Sequence, residues 1–196
     1  TMGILSALKG GSLRSLDSIR HRGKRLSDIL AAHALFIRGD EKGVRADLSG
    51  ADLSRADLAK AKLNYANFQR ANLKGANLRE ARLASAELNK TNLQQADLRK
   101  ADLTEANLSG ADLSEAQCGG VEFFRANLQG AILRKADFGA TNFREADLHG
   151  VDFEGANLKT AILRETKLEG VDLSRALNLD SALLPRGYNR AGSSNN

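Results

Sequence analysis

The side chains in this sequence with recognisable chemistry are three histidines, one cysteine and a long column of carboxylates and amides. His21, His33 and His149 lie far apart, and none stands at metal-ligand spacing from another. His33 falls on the apolar side of a predicted helix, where a structural imidazole is the expected role. Cys118 is the only cysteine, which excludes an internal disulfide and a paired-cysteine zinc site and suits a reducing compartment. It occupies a site where leucine is usual, so it reads as a small buried hydrophobe. Asp and Asn fill 18 of the 26 positions reached by stepping five residues at a time from Asp47 to Asp172. Stacked carboxylates of this kind can line cations, or they can accept hydrogen bonds from turn backbone N–H groups. The second role is the expectation, because Asn interrupts the carboxylates, as in Asp57, Asn77 and Asp97. There is no zinc-protease or phosphate-loop motif. No catalytic, cofactor-binding or metal-binding residue is assigned, and the chain is not expected to be an enzyme.

What must position these side chains is a repeat. Stepping by five from Ala46 to Ala176 gives Ala at 21 of 27 positions, the others being Thr91, Val121, Thr141, Val151, Thr166 and Val171. Stepping by five from Leu48 gives Leu at 20 of 26, the others being Phe68, Cys118, Phe123, Phe138, Phe143 and Phe153. The phase never slips over residues 46–175. A period of five is neither helical nor that of a flat strand, but within each unit the two apolar sites are two apart, as on one face of a short strand. Each unit therefore reads as a short extended side followed by a corner. Closing such units into coils and stacking the coils buries one apolar column and pairs each coil's backbone with its neighbours. The array contains no proline, as that pairing requires. An aromatic content of 5% without Trp fits a core made from one small unit used many times.

Units such as Ala51-Asp52-Leu53-Ser54-Arg55 and Ala71-Asn72-Leu73-Lys74-Gly75 resemble the A(D/N)LXX signature of pentapeptide repeat proteins. The resemblance implies an all-β solenoid: a right-handed quadrilateral parallel β-helix with four units per coil. The 26 units would then make about 6.5 coils, in a rod roughly 30 Å long. A solenoid exposes an apolar cross-section at each end, so short helical caps are expected at both. The domain plan is a basic arm over 1–25, a helical cap over 26–45 with Ser27 as N-cap, the array over 46–175, a C-terminal cap over 176–185 and a disordered tail over 186–196. In the C-terminal cap, Leu177, Leu179, Leu183 and Leu184 form an apolar cluster. Capping is its expected role. Some proteins of this kind dimerise through that end, so a dimer contact is the rival reading, and the chain is either a monomer or such a dimer.

The resemblance implies one function that charge can test. Some pentapeptide proteins protect DNA gyrase by imitating the shape and charge of DNA, which predicts an acidic face. The net charge of +5 instead divides into +5 for residues 1–45, −1 for the array and +1 for 176–196. The outward positions of the four faces, starting from Asp47, Asp52, Asp57 and Lys62, sum to −1, −1, +1 and zero. A near-neutral rod suits a non-catalytic scaffold for a protein partner, without cofactors and without direct nucleic-acid binding; mimicry is the alternative. Partner contacts are expected where the array is irregular. These are Gly119, Gly120, Phe124 and Arg125, together with the outward apolar residues Tyr65, Ile132 and Ile162. Isolated surface apolar residues are also normal. The arm over 1–25, with six Lys/Arg and one Asp, reads as a solvated segment; its other reading is a weakly amphipathic contact with an anionic membrane through Leu13, Leu16 and Ile19. Without a signal peptide or a long apolar stretch, the expected location is cytoplasmic.

Overall fold

The computed structural model describes residues 12–188. From Asp47 to Asp147, each five-residue unit pairs in parallel with the unit 20 residues later: Asp47 with Asn67, Asn67 with Glu87, and so on along four columns. Four units therefore close one coil. With the exceptions of Ala61, Thr166, Leu168 and Ala176, the Ala and Leu columns are buried along the whole rod. Phe123, Phe138, Phe143 and Phe153 pack as one aromatic group, with Phe123 stacked on Phe143 at 5.2 Å and Phe153 edge-on to Phe143 at 6.2 Å. Cys118 lies one coil from Phe138 in the same column, so a small residue sits beside the bulkiest layer of the core.

The five backbone N–H groups of a unit are all accounted for, and this explains the motif. In the unit 71–75, Ala71 N–H closes the preceding corner onto Phe68 O. Asn72 N–H donates to Ala51 O in one neighbouring coil, while Leu73 and Gly75 N–H donate to Asn92 O and Gln94 O in the other. The remaining donor, Lys74 N–H, is taken by the unit's own Asn72 Oδ1 at 3.2 Å. Every Asp and Asn in this column from Asp47 to Asp172 accepts the same bond from the residue two ahead. Several also bond along the column, as Asn67 Nδ2 does to Asp47 Oδ1 at 3.1 Å. The side chains expected to satisfy turn backbone groups do so. The fifth residue of every unit from Gly50 to Gly170 has a positive φ, whether or not it is glycine.

The N-terminal end differs from the expected arm. Residues 12–25 are folded onto the rod, and residues 1–11 lie outside the described part. Arg14 N–H donates to Arg55 O and Arg14 O accepts from Asp57 N–H, which gives the first coil a partner on the side where no earlier coil exists. Asp47 and Asp52 also lack an earlier neighbour in their columns. Arg22 pairs with Asp47, and Arg14 pairs with Asp52 at 3.2 Å. Ile19 is fully buried and Leu16 packs on the core, so these residues are not a free amphipathic stripe. Strands β1 (Arg20–His21) and β2 (Lys24–Arg25) form an antiparallel hairpin. Helix α1 (Leu26–Ile37) follows directly, burying Leu26 and His33. Its N-cap is Arg25 rather than Ser27, and no side chain caps it. Ser27 lies inside the first turn, because the hairpin bond from Leu26 N–H to Ile19 O starts the helix two residues earlier.

At the other end the expected short helix is a single 3-10 turn, Leu179–Ser181. On either side of it the chain keeps pairing as the array does, Leu177 with Asn157 and Leu183 with Ile162. Asn178, with φ of 59°, is one inserted residue. It shifts the phase so that Ala182 takes the buried corner position and Leu184 an inward one. Tyr188, in the segment expected to be a disordered tail, packs partly against the core. Residues 189–196 lie outside the described part.

Candidate functional site

The array brings its own polar groups together only as ladders. Among the described residues no group of three or more His, Cys, Asp or Glu side chains could hold a metal ion. His149 lies on the rod 3.9 Å from Glu169. His33 is buried, and its Nδ1 accepts the Ala46 N–H at 3.1 Å, joining α1 to the first unit. Its ring stacks on Phe36 at 5.6 Å. Burial lowers its pKa below the usual value and the Arg45 charge adds to this, while the Asn64 backbone pulls the other way. Burial raises the Cys118 thiol well above its usual value, with Asp137 and Asp97 adding to the effect. A neutral, inaccessible thiol is a poor nucleophile.

The residues singled out as partner contacts do not converge. Gly119 and Gly120 are half-buried at a corner, with the side-chain stems of Arg99 and Lys100 near the places where their Cβ atoms would stand. Phe124 is half-buried, and Arg125 lies over its ring at 4.7 Å while bonding Glu145 at 2.7 Å. The ring is thus already covered by its neighbour. Ile162 is half-buried beside the exposed Leu183. Tyr65, Phe124 and Ile162 sit in units of one column, spread along it, whereas Ile132 lies in another column between Asp112 and Asp152. Leu177 and Leu183 are exposed, while Leu179 and Leu184 pack against the core.

The pattern that does emerge concerns the ends. Among the described residues the exposed large hydrophobics are Phe36, Val44, Tyr65, Ile132, Leu177 and Leu183. All but Ile132 belong to the first coil and its cap or to the last turn. At the N-terminal end a cleft of about 220 Å³ opens between the hairpin, α1 and the 44–47 segment, lined by His21, Arg22, Lys24, Ile29, Val44 and Arg45, among others. The sequence reading missed this cleft. Its signal was the Arg22-Gly23 turn between Ile19 and Leu26, two apolar residues at the bases of a hairpin. The second recess, about 260 Å³, lies where Asp152 and Asp172 make no ladder pair, and it is lined by Asp152, Glu154, Asp172 and Arg175.

Comparison with curated protein sequences finds no match. Among solved structures, a trypsin-treated variant of QnrB1, a plasmid-mediated fluoroquinolone resistance protein, aligns with a TM-score of 0.54 at 20% identity over 67% of this chain and 77% of its own. That likeness concerns the fold. HetL, a pentapeptide repeat protein involved in heterocyst differentiation regulation in the cyanobacterium Nostoc sp. strain PCC 7120, aligns at 29% identity over 72% of this chain and 78% of its own, with a TM-score of 0.28. A pentapeptide repeat protein of the Arabidopsis thaliana thylakoid lumen aligns at 33% identity over 61% and 70%, with a TM-score of 0.22. The family profile of pentapeptide repeats matches in 8 copies over residues 44–79, 76–114, 122–159 and 141–177. With the 20-residue ladder and the buried Ala and Leu columns, that match places the molecule: the chain belongs to the pentapeptide repeat family.

Proposed function

We propose that this protein is a non-catalytic scaffold that binds another protein through the ends of its rod. The observation that carries this reading is the placement of exposed apolar side chains. The sides, about 6.5 coils long, carry mixed charge and, among the described residues, one exposed large hydrophobic, Ile132. Phe36, Val44 and Tyr65 mark one end, and Leu177 and Leu183 mark the other. Exposed apolar residues grouped on a polar body are the usual mark of an interaction site. The contact surfaces therefore move from the corner at 119–125 to the two ends.

The competing reading is the gyrase-protecting DNA mimic, supported by family membership but not by charge, since no face sums beyond one unit. Affinity capture from native lysate separates the two. The expected result is a partner retained by the wild-type protein and lost with the paired Leu177→Asp, Leu183→Asp variant or with Val44→Asp. Protection of gyrase from a quinolone in a supercoiling assay would instead favour the mimic and set the scaffold aside.

A further inference from the structure

The cleft at the N-terminal end has a chemistry of its own. Its floor is apolar, made by Ile29 and Ala32 of α1 and by Val44, which is 61% exposed. Ile29, Ala32 and Phe36 are spaced to share one helix face, so the exposed Phe36 extends that floor. Around it stand Arg22, Lys24 and Arg45, against Asp28 and Asp47. Both carboxylates are already neutralised, Asp28 by Arg25 at 2.9 Å and Asp47 by Arg22. Lys24 has no ion-pair partner among the described residues, and Arg45 donates only to the Tyr65 carbonyl. His21, in the wall, holds a buried Nε2 with no hydrogen-bond partner. Residues 12–45 carry eight Lys/Arg and four Asp/Glu, and three of these cations line the recess.

We propose that this cleft binds a short acidic segment of a partner protein that inserts one apolar side chain. The inference deepens the scaffold reading and rests on it. The volume suits one large side chain rather than a folded surface. Rim cations without carboxylate partners favour an occupant of negative charge, and the peptide backbone supplies a donor and an acceptor for His21 Nε2. A membrane fits less well, because the apolar groups line a recess instead of projecting from a face. Nucleic acid fits less well too, because two carboxylates stand in the wall and the Phe36 ring beside it is already stacked on His33.

The test uses the full-length protein and a fluorescein-labelled hexapeptide in which Leu-Phe is flanked by Asp and Glu. Two control peptides carry Lys for the acidic residues or Ala-Ala for Leu-Phe. Fluorescence anisotropy is expected to show saturable binding of the acidic apolar peptide, weakened by about tenfold or more in each control. Val44→Asp and Lys24→Glu, both surface changes, are each expected to weaken it by about tenfold while leaving the thermal midpoint in place. Equal affinity for all three peptides, or affinity unchanged in both variants, overturns the proposal. So does flotation with phosphatidylserine vesicles in the absence of peptide binding, which would assign the cleft to a membrane. Failure here leaves the capture experiment above untouched, so the two readings fail separately.

Discussion

The second residue of each unit has a defined task, and the departures from it are informative. Asp and Asn are short enough for Oδ1 to reach the N–H two residues ahead, while Ile and Lys offer no acceptor and Glu sets its oxygens one carbon further out. At Ile132 the following Arg134 N–H therefore lacks the bond that Asp112 gives Ser114 at 2.9 Å. If Ile132 has no binding role, Ile132→Asn should stabilise the rod by about 1 kcal/mol, read as a higher midpoint in urea; a lower midpoint would give that side chain a structural role not seen here. The same carboxylates predict the acid limb. Hydrogen bonds from the Ser49 side chain and backbone, together with Arg22, hold Asp47 down at about 2, and Ser54 and Ser174 lower Asp52 and Asp172 in the same way. A lowered carboxylate stabilises the fold above its ordinary value of 3.8 and loses that contribution as pH falls through the folded value. His33 acts in a higher window. Its folded pKa lies below 6.5, so the unfolded chain takes up a proton first and stability falls as pH drops below 6.5. Burial lowers His21 in the same direction, so thermal midpoints should decline in two stages, and the upper one should shrink in His33→Gln and be missing in the His21→Gln, His33→Gln double variant. At this scale the sequence was legible: the column roles of Asp, Asn, Ala and Leu follow from spacing. What it hid was the half-buried state of Phe124, which depends on how Arg125 folds over the ring.

The corners are the elements that the motif letters conceal. A positive φ at every fifth residue from Gly50 to Gly170 means that Lys60, Arg70, Ala140 and many others hold a conformation that costs an L-residue about 1–2 kcal/mol. The period of five is tied to that corner, yet the residue types there are too varied to reveal it. Ala140→Gly removes the strain and adds some chain entropy to the unfolded state. A net gain of about 0.5–1 kcal/mol is expected, measured as a shift in the denaturation midpoint. The N-terminal cap depends on the opposite use of glycine. At Gly43 an added Cβ would lie 2.2 Å from Phe36 N. Gly43→Ala must therefore push the 43–44 segment off α1 and break the bond from Val44 N–H to Ala32 O at 3.1 Å. Faster amide exchange in α1, with the array unchanged, is the expected outcome. The hairpin before α1 escaped sequence reading because each of its strands is two residues long, too short for any alternation to show. The C-terminal turn escaped because one inserted residue, Asn178, looks like the end of the repeat when it only shifts it.

Over the whole molecule, the regular array and the exposed large hydrophobics separate. A stack whose units satisfy their backbone groups in the coils on either side leaves its sides polar and mixed in charge. The two ends, where stacking stops, hold nearly all the exposed apolar groups of the described residues. The cap at one end is cationic around an apolar recess, and the turn at the other presents Leu177 and Leu183. On the proposed function, partners meet the ends and not the sides. Site-specific photo-crosslinking in the native cells tests it most directly, with the photoreactive residue placed in turn at Val44, Leu183, Phe124 and Ile132. Discrete partner adducts are expected at Val44 or Leu183 and none at Phe124 or Ile132. Adducts at Phe124 or Ile132 with none at either end would contradict it.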